Sequence, residues 1–161
     1  MYEKILVALD GSSRAEEVLP HVSALANRFD SRLVLVMVVP DVLQVMSMEA
    51  ASATAMGGIM GQDMKILTEA MDNQAEGGTR YLEDTARRLR GSDVVVDTVV
   101  RRGKASDEII RCAQEENVDL MAICTRGHGG LKRWMFGSVA DYVLRSSGVP
   151  VLLITPSGDE V

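Results

Sequence analysis

Five short, predominantly apolar runs constrain this chain more than any other feature. Residues 4–9 (KILVAL), 32–39 (RLVLVMVV), 94–100 (VVVDTVV), 119–124 (DLMAIC) and 149–155 (VPVLLIT) are too short to be helices of ordinary length. They do not alternate polar with apolar residues, as strands with one wet face do. Strands without that alternation are covered on both sides, the condition of a parallel sheet. Helical patterns lie between them. Ser13 with Glu16 has capping-box spacing and predicts a helix running to Phe29 that buries Val18, Leu19, Val22, Leu25 and Ala26. From Gln62, the residues Met64, Leu67, Met71, Ala75, Gly78, Leu82, Ala86 and Leu89 step by three or four and form one stripe. Gly77 and Gly78 interrupt this helix; Gly78 on the stripe means either close approach to the sheet or local fraying. Residues 105–117 predict a third helix, acidic in its first turn, where the helix dipole favours negative charge. Ser138 with Asp141 has capping-box spacing and predicts a fourth, to Ser146. Strand–helix alternation of this kind predicts βαβ units with right-handed crossovers and helices on both faces.

The 161 residues are expected to form one α/β domain over residues 1–155, with a loose tail at 156–161. Residues 41–61 break the pattern with a Met-, Ala-, Ser- and Gly-rich insert. Its methionines (Met46, Met48, Met56 and Met60, with Met64 just beyond) suit a lid, a docking surface or a plain crossover. A net charge of −6 argues against general nucleic-acid binding. Cys112 and Cys124 fit no metal-ligand spacing and read as small core residues. No signal peptide opens the sequence and no apolar run reaches bilayer length, so a cytoplasmic protein without membrane insertion is expected.

Against the acidic background, residues 124–139 (CTRGHGGLKRWMFGSV) carry four glycines, Arg126, Lys132 and Arg133, and no acid. This segment follows the fourth strand at its carboxyl end and opens a helix. Backbone N–H groups there have no internal partner, and the dipole favours anions. Gly137 lets a phosphate approach the backbone, and Ser138 adds a hydroxyl. Arg126 and its basic neighbours add attraction. The plainer reading is that the glycines make turns and Ser138 caps its helix. The spacing matches neither a Walker loop nor the dinucleotide-binding fingerprint. Asp10, at the end of the first strand, reaches the same sheet edge. It either accepts from a ribose or adenine or supports the turn before the first helix. His128 has no nucleophile beside it, so no catalytic residue is assigned. Trp134, Met135 and Phe136 read as a packing plug or a partner surface, and Arg101 and Arg102 as a solvated strand end.

These residues resemble the universal stress protein family. ILVALDGSS looks like its first strand and turn. Gly127, nine residues, then Gly137-Ser138 follow the second part of its Gly-x2-Gly-x9-Gly-Ser/Thr motif. GSVADYVLRSSGVPVLLI is similar to its closing helix and strand. The resemblance spans Tyr2 to Thr155 apart from the insert, and departs where Cys124 holds the place of the motif's first glycine. It implies a five-stranded parallel sheet in order 3-2-1-4-5, switching direction between strands one and four. It also implies an ATP-, ADP- or AMP-binding regulatory protein of the stress response rather than an enzyme, slow ATP hydrolysis or adenylate handling being the enzymatic alternative. A member that binds no nucleotide and acts through protein contacts is the other alternative. In the nucleotide reading, Asp10 contacts ribose or adenine and Val38 offers backbone groups to the adenine edge. Gly127, Gly137, Ser138 and Val139 hold phosphates, with Cys124 and Arg126 in the same loop. Mg2+ or Mn2+ would ride on the phosphates, no cluster of protein ligands being present. A homodimer through the last strand and a regulatory protein partner are implied as well.

Overall fold

The computed structural model describes residues 1–42, 61–91, 94–125 and 137–155. Arg126, Gly127, His128, Trp134–Phe136, the tail and nearly all of the insert lie outside the described residues. The sheet comprises β1 (Lys4–Ala8), β2 (Arg32–Val39), β3 (Val96–Arg102), β4 (Leu120–Cys124) and β5 (Val151–Ile154). All neighbours pair in parallel, in the order β3-β2-β1-β4-β5. The chain first adds strands on one side of β1, then crosses to the other, which opens a crevice at the carboxyl ends of β1 and β4.

Burial on both sheet faces explains the short apolar runs. Along β1, Ile5 and Val7 enter one core cluster and Leu6 and Ala8 the other. Ile5, Leu6 and Val7 are all 0% exposed, so no position of that run could be polar without an unsatisfied group. The first layer holds a 3-10 turn (Ala15–Val18), α1 (Leu19–Phe29) and α2 (Gly61–Arg90). The second holds α3 (Ala105–Glu115) and α4 (Ser138–Ser146).

The periodic stripe of α2 is the face laid on the sheet: Met71, Gly78, Leu82, Ala86 and Leu89 are buried. Gly78 resolves in favour of close approach. A Cβ there would stand 3.2 Å from Met37 Sδ and 3.7 Å from Val100, whereas one on Gly77 would meet nothing within 4 Å. At 30 residues α2 is about 45 Å long, against about 23 Å for the seven residues of β3. Arg90 donates to the Val96 carbonyl at 2.5 Å and Asp72 accepts from Arg102 at 2.7 Å, so these residues lie level with the two ends of β3. The helical turns before Asp72 therefore reach past the carboxyl edge.

Several local expectations need correction. The Ser13–Glu16 capping box does not form. The N-cap is Arg14, without a side-chain cap; Ser12 Oγ accepts from Ala15 N at 3.1 Å, and helix entry is a 3-10 turn. The Glu16 carboxylate is turned away to Arg88 of α2, at 3.1 Å. Nor does Ser138 cap α4; the N-cap is Gly137, and Asp141 accepts from Arg145 at 3.0 Å. β3 lies two residues later than its apolar run suggests, because Arg101 and Arg102 continue the ladder beside Val38 and Val39. Neither arginine is a free solvated end: Arg101 pairs with Glu115 of α3 and Arg102 with Asp72 of α2.

Candidate functional site at the β1–β4 switch

The Asp10 side of the crevice is a turn built by its own side chains. Asp10 Oδ1 accepts from Ser12 N at 3.0 Å and from Ser12 Oγ at 2.6 Å. Gly11 between them has φ +82°, a conformation that only glycine adopts cheaply. Supporting the turn is therefore a role Asp10 performs here, and it also pins the exposed carboxylate at the crevice edge. Val38 lies near the carboxyl end of β2, half-buried, paired in register with Arg101.

The opposite wall is the start of α4. Gly137 has φ +77° and ψ 148°, and no side chain caps the helix. Among the described residues, a Cβ on Gly137 would meet nothing within 4 Å. Ser138 follows, exposed, and Val139 is half-buried against the second core cluster. An uncapped first turn with an open approach is a ready acceptor for an anion. The absence of the Ser138 cap leaves that turn's amides without the side-chain partner that the plainer reading supplies. Arg126 and Gly127 lie outside the described residues.

Cys124 ends β4 at the bottom of the crevice, half-buried and free. Among the described residues the non-glycine positions with positive φ are Asp30 and Asn117, so Cys124 has an ordinary strand backbone. In this structure glycine's freedom is not used at that place. Burial pushes the Cys124 thiol above its usual range, and the carboxylates of Glu17 and Asp10 push it further. β1 and β4 are paired neighbours, so the turn after β1 and the end of β4 share one edge of the sheet. Cys112 is fully buried in the second cluster. Among the described residues no group of three or more His, Cys, Asp or Glu could hold a metal ion. None of their helices is long and apolar enough to cross a membrane.

A second polar cluster ties α2 to the segment after the Asp10 turn. Arg88 spans both Glu16 oxygens at 3.1 Å, and Arg88 Nη2 also donates to Thr85 Oγ1 at 3.0 Å. The Arg88 hydrogen bonds hold the Glu16 carboxyl below its usual range. Burial, with Glu16 alongside, pushes the Tyr81 phenol well above its own. The Tyr81 hydroxyl nevertheless makes no hydrogen bond of good geometry among the described residues. Sequence pattern gives no sign of this cluster, since its members lie about 70 positions apart.

Comparison with known proteins agrees with this architecture. Universal stress protein YxiE of Bacillus subtilis is 28% identical over 154 residues, covering 96% of this chain and 99% of that one. Universal stress protein MJ0577 of Methanocaldococcus jannaschii is 29% identical over 164 residues, covering 96% and 95%. The solved structure of MJ0577 superposes with a TM-score of 0.77 at 25% identity, covering 99% of each chain. A universal stress protein family protein from Arabidopsis thaliana with AMP bound shares the fold at a TM-score of 0.63 and 17% identity, over 98% and 94% of the two chains. The Usp family description matches residues 1–155, and the chain belongs to the universal stress protein family.

Proposed function

We propose that this protein binds an adenine nucleotide in the β1–β4 crevice and acts as a regulatory module rather than as a rapid enzyme. The observation that carries the reading is Gly137: a positive-φ N-cap whose Cβ position meets no described atom within 4 Å, beginning a helix without a side-chain cap. In this reading the amides of Gly137, Ser138 and Val139 and the Ser138 hydroxyl take the phosphates, joined by Arg126 and Gly127. Asp10 takes the ribose or adenine, the Val38 backbone takes the adenine edge, and Cys124 fills the crevice floor without blocking it. The AMP held by the Arabidopsis fold neighbour supports adenine as the base. A divalent ion would be held by the phosphates themselves. No residue is assigned to proton abstraction or to positioning a water, so hydrolysis is expected to be slow.

The same reading includes a cytoplasmic homodimer formed through β5 that answers to stress through a protein partner. β5 is an edge of the sheet, and all four of its residues stay half-exposed, with Leu152 and Ile154 on the α1–α2 face. Such an edge is a template for another chain.

To test nucleotide binding, one portion of freshly purified protein is denatured and its supernatant separated by ion exchange, and a second, native portion is titrated with ATP and magnesium by calorimetry. Released or bound adenine nucleotide is expected. An empty supernatant together with no heat on titration would favour a member that works through protein contacts alone.

A further inference from the structure

We infer that Met37 is a positioning residue for this site, its thioether coupling helix α2 to the Asp10–Ser12 turn. The inference deepens the nucleotide reading and rests on it. Met37 lies in β2 one residue before Val38, and strand alternation turns it to the α1–α2 face. Its two ends meet two backbones. Sδ is 3.2 Å from where a Cβ of Gly78 would stand, and Cε is 3.7 Å from where a Cβ of Gly11 would stand. Both partners are glycine, so one flexible side chain is packed between helix and turn.

The far end of this contact is the site itself. Gly11 lies between Asp10 and Ser12, whose hydrogen bonds at 3.0 and 2.6 Å fix the carboxylate. The near end is the helix whose first turns pass the carboxyl edge. Ion pairs anchor α2 on both sides of Gly78, Asp72 to Arg102 at 2.7 Å and Arg88 to Glu16 at 3.1 Å. Between these anchors the Gly78 position meets Met37 at 3.2 Å and Val100 only at 3.7 Å, so a shift of α2 there presses first on Met37, and packed side chains transmit displacement because they have little free volume. Met37 touches no ligand in this arrangement; it acts through the position of Gly11.

Two adjacent glycines supply a matched test. Gly78→Ala places a methyl 3.2 Å from Sδ, so Met37 must give by a few tenths of an ångström. Gly77→Ala adds the same methyl to the same helix with nothing within 4 Å. Met37→Val removes the thioether and keeps a strand-forming side chain. ATP–magnesium affinity is read by calorimetry. The ligand-free Gly11 and Ser12 amides are read by nitrogen–proton NMR, with thermal melting as the folding check. Gly78→Ala is expected to weaken binding by about threefold to tenfold and to move both amides, while Gly77→Ala leaves affinity within about twofold. On a Met37→Val background, Gly78→Ala should have no further effect, the non-additivity expected of a relayed contact. Equal effects of the two alanines, or an undiminished Gly78→Ala effect without the thioether, would overturn the inference. Should the wild-type protein bind no adenine nucleotide, the nucleotide reading fails by itself. The Gly11 and Ser12 amide shifts then decide the coupling separately.

Discussion

Gly137→Ala separates the backbone of the proposed site from its ligand. Gly137 has φ +77° and ψ 148°, a region almost reserved for glycine, and holding another residue there costs on the order of 1–3 kcal/mol. The added methyl meets nothing within 4 Å, so strain is the whole folding cost. For a chain of this size each kcal/mol lowers Tm by about 2–4 °C, which predicts a fall of about 2–12 °C with unchanged far-ultraviolet circular dichroism. The methyl also occupies the space through which a phosphate would approach, and the strained N-cap turns its amides off target. ATP affinity should fall by about tenfold or more, which corresponds to about 1.4 kcal/mol. Gly148→Ala is the control. Gly148 also has positive φ, at +68°, and an open Cβ position, but it follows α4 at the far edge of the sheet. It should lower Tm similarly and leave binding alone. Differential scanning fluorimetry and calorimetric titration measure both quantities. A Gly137→Ala protein with lowered Tm and wild-type affinity would refute the placement of phosphates at α4. Unchanged Tm would refute the backbone argument.

Other perturbations test other parts of the reasoning. Glu16→Gln removes the negative charge and one of the two oxygens that accept from Arg88; the pair is partly exposed, so the loss at neutral pH should be about 0.5–1 kcal/mol by urea denaturation. Because Glu16 is held below its usual 4.5, that contribution is complete above pH 4.5 and disappears as pH falls through the lower folded value. The two proteins should therefore converge in acid, and a gap that widens there would contradict the assignment. Cys124→Gly restores the family's glycine. With an ordinary strand backbone at that place, ATP affinity should stay within about twofold while stability falls by about 0.5–1 kcal/mol; a large gain in affinity would show that glycine's freedom is needed. Leu152→Lys puts a charge on the half-exposed edge strand β5 and should convert a dimer to a monomer in analytical ultracentrifugation, with thermal melting as the folding check and an unchanged assembly state as the contrary result.

How far the candidate site was legible follows from which signals are local. Gly137-Ser138 and Asp10 stand out because anion-binding turns need glycine and strand ends need polar residues, both visible within a few positions. The pairing of Arg101 with Glu115 and Arg102 with Asp72 was not legible, since the partners come from helices on opposite sheet faces. The capping boxes failed for a related reason. Glu16 and Asp141 had the right spacing, yet each found a stronger cationic partner, one of them 72 residues away.

The order of apolar runs and periodic stripes was enough by itself to determine an alternating α/β chain with a doubly covered sheet. Burial of both faces leaves so direct a mark on composition that Ile5, Leu6 and Val7 could be read without coordinates. Which strands neighbour one another was implied by family resemblance and not by any residue's chemistry. Contacts made across the layers belong to the tertiary structure alone: Met37 between Gly78 and Gly11, and Arg88 on Glu16. Propensity and periodicity act over one or two turns of chain, whereas packing and charge act through space, between residues whose separation in sequence carries no information about their distance.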